Sequence, residues 1–578
     1  MAWKRPQNIL DMNDRIEALR VLMLSKGWDA VIVPGTDPHG SEYPALCWRQ
    51  VEWLTGFTGE AADVVVTADD AGLWTDSRYF IQAREQLAGT GVSLHKTRVP
   101  EEIPIPEWLD RTLPEDAIVA YDSLCFGASS IGPLPERLSV VAVKDLLGAI
   151  WPDRPPIPQT PVFEVETGES SEEKIAWLRA RLEDNGCDGC LVTALDEIAW
   201  LLNVRASDVE YNPYVISYLL VSTDRVKWFV LKDSVEDPQS GETFARLENQ
   251  GVEILPYASV DEEVESFDGE LYSGPDLIAP RKAVKNDFEI RSLREAHIRE
   301  GVVMEKFLYW LEKSLDAGHR ITEWDASVYL GKLRAEIGDY LGDSFETISA
   351  YGPGAALPHY RTPATNAPVI GETGLYLCDS GGQYMSGTTD ITRTVPVGEC
   401  TPQEREDYTL VLKSHIDLAM AVFPKGTPGC RIDALGREPL WKAHRNFGHG
   451  TGHGVGFLLG VHEGPQDIRQ NLNPAPLEAG MVVSDEPGIY REGLFGVRHE
   501  NLLLCVDDGQ SEFGEWLRFE PLTLCHFDTA PVDFRLLERA EIKWLNAYNE
   551  KVFTTLAPLL PPEIASWLRG KTLSSSIV

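Results

Sequence analysis

Four carboxylates and one imidazole in the C-terminal half, Asp379, Asp390, His453, Glu486 and Glu500, stand in short strand-like or glycine-rich stretches. Leu375-Tyr376-Leu377-Cys378 reads as an apolar strand that ends in Asp379. Ser380 to Gly387 is a polar, glycine-bearing turn, and Thr388 to Thr394 returns with Asp390 on it. The expected element is a hairpin with one acid on each arm. Two acids facing each other across antiparallel strands repel, which makes sense if a cation lies between them. Capping of the turn by two Asp side chains explains the same pair equally well.

His449 and His453 fall within Gly448-His449-Gly450-Thr451-Gly452-His453-Gly454-Val455-Gly456. So many glycines argue for an extended segment crowded by neighbouring backbone or ligand, with residues four apart on one face. A dinucleotide loop is the obvious rival for so many glycines, but the spacing is not GxGxxG and no helical run follows, which makes it a weak one. Met481 to Asp485 is a short strand, and Glu486 ends it in the extended geometry that Pro487 imposes. Arg498 and Glu500 are expected on one strand face, with Glu500 just ahead of the apolar Leu502-Leu503-Leu504, where an acid needs a partner or a metal. Together, four oxygen donors and one imidazole match a hard or borderline divalent site in which carboxylates can bridge two ions. Mn²⁺ suits this set best, with Zn²⁺ or Co²⁺ as alternatives.

These side chains need a scaffold. From Lys285 to Val578 helices interleave with glycine-bounded strands in an α+β pattern. Asn286 and Glu289 resemble a helix N-cap and its third-position partner, ahead of a long helix with Phe288, Leu293, Val303, Phe307 and Leu311 on its apolar side. Upstream, the proline-rich Trp151 to Pro161 is a linker. Beyond it, Lys174-Ile175-Ala176-Trp177-Leu178 and Gly186-Cys187-Asp188-Gly189 echo Arg15-Ile16-Glu17-Ala18-Leu19 and Gly27-Trp28-Asp29-Ala30, each 159 positions on. A helix, a glycine turn and a buried strand repeated once point to two similar α/β domains in tandem. The expected organisation is therefore 1–160, 161–284 and 285–578.

At 578 residues the chain is too long for one core. Acidic residues outnumber Lys plus Arg by 90 to 52, a formal charge of −38 that disfavours nucleic acid and anionic membrane as partners. Nine scattered cysteines fit a reducing compartment, and Cys187 and Cys190, a lone CxxC, read as ordinary buried thiols. Met1-Ala2-Trp3-Lys4-Arg5-Pro6 leads into no apolar segment, so a cytoplasmic address is expected.

The stretches DSGGQYMSGTTDITRT, HGTGHGVGFLLGVHEGP, SDEPGIY and GVRHEN resemble the metallopeptidase domain of the creatinase-like pita-bread family. VTALDEIAW from Val192 and FEPLTL from Phe519 extend the likeness to the family's three-domain aminopeptidase P branch. The resemblance implies two creatinase-N-terminal-like α/β domains followed by a pita-bread domain. It also implies a homodimer that cleaves peptides with proline at the second position. By the same resemblance Asp379 holds one metal, Asp390 and Glu500 bridge two, and His453 and Glu486 complete the second. His359, His462 and His449 would contact substrate, and Arg78 matches a substrate-associated arginine.

Chemically, Glu486 would then shuttle a proton to the leaving nitrogen, while His462 and His359 donate to the carbonyl oxygen. Because a proline nitrogen carries no hydrogen, the pocket must select ring shape, with Tyr490 and Tyr360 as walls and Arg498 nearby. A dipeptidase specific for Xaa-Pro is the nearest rival, and a non-catalytic binding module on the same fold a more distant one. Gly59-Glu60-Ala61-Ala62 and His499 depart from the family pattern, which bears on the subsites rather than on the metals.

Overall fold

The computed structural model describes residues 12–125 and 133–573, except the side chains of Met12 and Asn13, so the Met1–Pro6 stretch lies outside the described residues. Ala30–Val33 is buried at every position, which explains why it reads as an apolar run rather than an alternation. It pairs antiparallel with Ala62–Thr67, which pairs antiparallel with Ala71–Thr75, and Ser93–Lys96 adds in parallel at that edge. On its other side Ile118–Asp122 and then Ser139–Val143 add in parallel, completing six strands.

The second sheet repeats the first half of this plan. Gly189–Val192 pairs antiparallel with Ser217–Ser222, that strand antiparallel with Val226–Val230, and Val252–Pro256 closes the edge in parallel. The helices Met12–Lys26 and Ser171–Asp184 precede corresponding strands. The echo in sequence is thus an echo in topology, and the tandem α/β reading holds. Between the two sheets Trp151 to Pro161 forms neither helix nor strand, although Trp151 is buried by stacking on Trp53 with ring centroids 4.9 Å apart.

The helix Asp287–Asp316 opens with the expected reciprocal cap. Asn286 Oδ1 accepts from the Phe288 and Glu289 amides at 2.9 and 3.0 Å, and Glu289 Oε2 accepts from the Asn286 amide at 2.9 Å. Leu293, Val303, Phe307 and Leu311 are buried along it. Behind this helix lie a three-stranded sheet, ordered Ile348–Tyr351, Leu375–Ser380, Ile391–Pro396, and a six-stranded one. The latter runs Val422–Pro424, Gly514–Pro521, Asn501–Ser511, Val482–Asp485, Gly452–Gly454, Glu463–Ile468. All nine cysteines are free thiols, and Cys187 and Cys190 are half-buried rather than buried.

The N-terminal sheets are docked onto the C-terminal ones by polar contacts at the site's rim. Arg205, fully buried, donates to the carbonyls of Leu458 and Phe457 as well as to its own neighbours Ala199 and Val204. Ser77 Oγ donates to the Gly448 carbonyl at 2.9 Å.

Candidate active site

The acidic hairpin forms, with a modification. Leu375–Ser380 and Ile391–Pro396 pair antiparallel with Asp379 opposite Thr392, so Asp390 lies one residue before the returning strand rather than facing Asp379. The polar turn between them folds into a small ribbon, Gly382–Tyr384 against Gly387–Thr388, instead of a simple loop. His453 is the centre of Gly452–Gly454, gripped between Glu463–Ile468 and Val482–Asp485. A Cβ on Gly452 would sit 1.9 Å from the Ser484 carbonyl oxygen and one on Gly454 2.2 Å from that of Glu463, so only glycine permits this approach. His449 lies in the bend before that strand.

Glu486 follows directly on Val482–Asp485, its amide donating to the Thr451 carbonyl at 2.8 Å. Arg498 and Glu500 do not share a strand. Phe495–Arg498 ends at the arginine and Asn501–Ser511 begins after the glutamate, because the Glu500 amide donates sideways to Thr392 at 3.0 Å. Thr392 Oγ1 then donates to Glu500 Oε2 at 2.9 Å and fixes its carboxylate.

Ligand atoms of Asp390, His453 and Glu500 all lie within 4.8 Å of one another. His453 Nε2 is 3.5 Å from Asp390 Oδ2 and 3.7 Å from Glu486 Oε1. Asp379 Oδ1 and Asp390 Oδ1 are buried and accept no hydrogen bond from the described residues. Burial, and then Asp379, pushes the Asp390 carboxyl well above the usual carboxylate range. Burial with Asp390 and Asp379 does the same to Glu500, and burial with Glu500 lifts Glu486 to about 8. Burial lowers His453 to about 4, which leaves the neutral imidazole that a metal requires. Desolvated acids this close, with carboxylate oxygens that no donor reaches, fit divalent cations of the oxygen-preferring kind.

A cavity of about 720 Å³ opens over this cluster and is lined by Asp379, Asp390, His453, Glu486, Arg498 and Glu500. His359, His449, His462, Arg78 and Tyr360 line it too. His462 Nδ1 bonds to Glu42 Oε2 at 2.6 Å; burial opposes a charged ring, but Glu42 outweighs it and the pKa of His462 rises. Arg78 Nε and Nη2 clamp Asp76 at 2.9 and 2.8 Å, so the arginine is both a structural ion pair and a cavity wall.

Arg498 is buried, pairs with Asp379, and donates to Thr392 Oγ1 at 3.2 Å and Tyr490 Oη at 2.8 Å. Tyr490 does not line the cavity. It stands behind Arg498 and His449, whose Nε2 lies 2.7 Å from its hydroxyl, so it serves as a support rather than the wall expected for it. Tyr360 does line the cavity, its hydroxyl tied to Glu323 at 2.7 Å.

Models of known families cover nearly the whole chain: metallopeptidase family M24 over residues 291–507 and the C-terminal region of peptidase M24 over 515–574. Two creatinase/prolidase N-terminal domain models match 15–155 and 153–286. The probable Xaa-Pro aminopeptidase P of Laccaria bicolor is 36% identical, with 97% of this chain and 93% of that one covered. The chain belongs to metallopeptidase family M24. Within M24, aminopeptidase P1 of Arabidopsis thaliana is 34% identical over 98% of this chain and all of its own. The crystal structure of X-prolyl aminopeptidase from Caenorhabditis elegans, described as a cytosolic enzyme with a di-nuclear active site, matches with a TM-score of 0.92. It is 33% identical and covers 98% of this chain and 100% of its own.

Two residues at this M24 site escaped sequence reasoning: Glu42 and Tyr79, both from the first sheet's loops. Glu60 was legible only as a departure from the family pattern. Glu42 and Tyr79 carry no local signal, since what marks them is contact with His462 and His359 several hundred positions away.

Proposed function

We propose that this M24 aminopeptidase hydrolyses the Xaa-Pro bond at the N-terminus of peptides. The observation that carries the reading is the set Asp379, Asp390, His453, Glu486 and Glu500, buried except for the half-buried Glu486, at the floor of a cavity walled by Arg78, His359 and His462. Asp379 and Asp390 would hold one metal, Asp390 and Glu500 bridge to the second, and His453 and Glu486 complete it. Two divalent ions held there supply Lewis acidity toward the scissile carbonyl and bring the ionisation of water near neutral pH.

The chain's own residues do the rest. His462, whose charged form Glu42 favours, presents Nε2–H to the carbonyl oxygen as negative charge develops on it. Glu486 takes the proton of the attacking water and passes it to the proline nitrogen, which has no hydrogen of its own. Arg498 neutralises and orients Asp379. His449, whose pKa burial lowers to about 3, is held at the cavity wall by the Gly450 carbonyl on Nδ1 and the Tyr490 hydroxyl on Nε2, each at 2.7 Å.

Manganese is the metal that the oxygen-rich donor set favours. Nine free thiols suit the reducing cytoplasm, and the family resemblance supports a homodimer. Metal analysis of the purified protein and light scattering test the first and last of these.

The activity test is cleavage of Ala-Pro-Ala before and after chelation, with Asp379→Asn as control. Chelation and the substitution should each abolish release of alanine. A protein that cuts Ala-Pro but leaves Ala-Pro-Ala intact would overturn the specificity.

A further inference from the structure

Tyr79 joins a carboxylate on one side to an imidazole on the other. Its hydroxyl donates to Glu60 Oε2 at 2.5 Å and lies 3.2 Å from His359 Nδ1. Glu60 and Tyr79 come from turns flanking Ala62–Thr67 and Ala71–Thr75, whereas His359 follows Ile348–Tyr351. The Tyr79 ring is buried, with Phe57 edge-on at 5.9 Å and the Arg78 guanidinium over it at 5.2 Å. Gly59 makes room, since a Cβ there would meet Tyr79 Cδ1 at 2.7 Å. These contacts hold the phenol in one place.

A hydroxyl has one proton, and an ionised carboxylate only accepts. Burial and the Glu60 carboxylate hold the phenol's pKa well above its usual value, so it keeps that proton and gives it to Glu60. The oxygen then offers His359 a lone pair alone, and Nδ1 must bring the hydrogen. Burial, followed by Arg78 and His462, keeps His359 neutral. A neutral imidazole with hydrogen on Nδ1 has a bare Nε2. That nitrogen has no partner among the described residues, and the ring lines the cavity.

We infer that Glu60 and Tyr79 lock His359 in its Nδ1–H tautomer, so that its Nε2 accepts a hydrogen bond from a substrate N–H. This rests on the peptide-hydrolase reading above, and it reverses the role of donor to the carbonyl oxygen expected for His359 from the mechanism. In an Xaa-Pro-Yaa peptide the proline nitrogen has no hydrogen, so the donors are the terminal amine and the Yaa amide. Glu60 and Tyr79 are positioning residues for whichever of the two His359 receives.

Neutron diffraction from deuterated, metal-loaded protein reads the tautomer directly. A deuteron on His359 Nδ1 and none on Nε2 is expected, and the opposite placement overturns the inference. It needs no variant to fold and no activity, so it stands apart from any failure of the peptidase reading.

The kinetic arm compares Ala-Pro-Ala with the depsipeptide in which ester oxygen replaces the Yaa N–H, in wild type, Glu60→Gln and Tyr79→Phe. If the Yaa amide is the donor, wild type prefers the amide by about tenfold in kcat/KM, and both variants lose that preference. No preference in wild type, together with deuteration at Nδ1, assigns the terminal amine. A preference that persists undiminished in both variants sinks the lock.

Discussion

His297 shows at a single residue what burial does to a titratable group away from the reaction. Its Nδ1 lies 2.7 Å from the Leu293 carbonyl, Nε2 has no partner, and burial lowers its pKa to about 4. Above the unfolded value near 6.5 both states are neutral and pH does nothing. As pH falls from there toward 4, the unfolded ring gains a proton that the folded ring refuses. Stability therefore drops through that window and levels off after a loss of about 3 kcal/mol. His297→Leu should remove that component, so the variant's melting temperature falls less than that of wild type between pH 7 and 4.5; parallel curves would refute it. At the site, Glu42→Gln deprives His462 of the carboxylate that raises its pKa and favours its charged form. We expect kcat/KM at neutral pH to fall by about 10- to 100-fold, the worth of a charge-assisted hydrogen bond. An unchanged value would mean that His462 acts uncharged. Glu42 could not be found from sequence, because Ser41 to Pro44 has no periodicity and its meaning comes from a side chain 420 positions away.

At the scale of the element, glycine spacing was the most readable signal. The run from Gly448 to Gly456 was expected to be extended and crowded, and Gly452 does sit where a Cβ would strike the Ser484 carbonyl. Gly452→Ala should force Gly452–Gly454 away from Val482–Asp485, carrying His453 from Glu486. Manganese affinity by calorimetry is expected to fall by about tenfold or more, and retained affinity would show that the strand has room. The strand break at His499 was not readable. Phe495 to Leu504 looks like one strand, and what interrupts it is a hydrogen bond to Thr392, more than a hundred positions away. The buried ion group beside His462 was equally hidden: Lys282 and Lys285 meet Glu463 at 2.6 and 2.5 Å, and Lys282 also reaches Asp196 in the helix Leu195–Leu202 at 2.9 Å. Glu463→Gln leaves the buried Lys285 ammonium without a carboxylate and Lys282 with Asp196 alone. A loss of about 3–5 kcal/mol is expected from the thermal transition, and a variant as stable as wild type would contradict it.

Over the whole molecule, repetition and resemblance disclosed the tandem α/β plan, but the docking of those sheets was invisible because it is made of single side chains. Arg205 is the clearest case. Its guanidinium is buried deeply enough to lower its pKa to about 10, and it satisfies four backbone carbonyls, two of them in the loop between His453 and His462. Arg205→Met should loosen that loop and raise KM more than it lowers kcat; steady-state kinetics with Ala-Pro-Ala reads the split, and a pure kcat defect would argue against docking. The contact between Glu42 and His462 has one more consequence, for synthesis. A ribosome delivers Glu42 and Arg78 early and Glu500 only when most of the chain has been made, and loop closure over such separations is slow. The N-terminal sheets can fold while translation continues, yet they then hold a glutamate and an arginine with nothing to act on. A site drawn from both halves of the chain is thus complete only after Glu500 has been made.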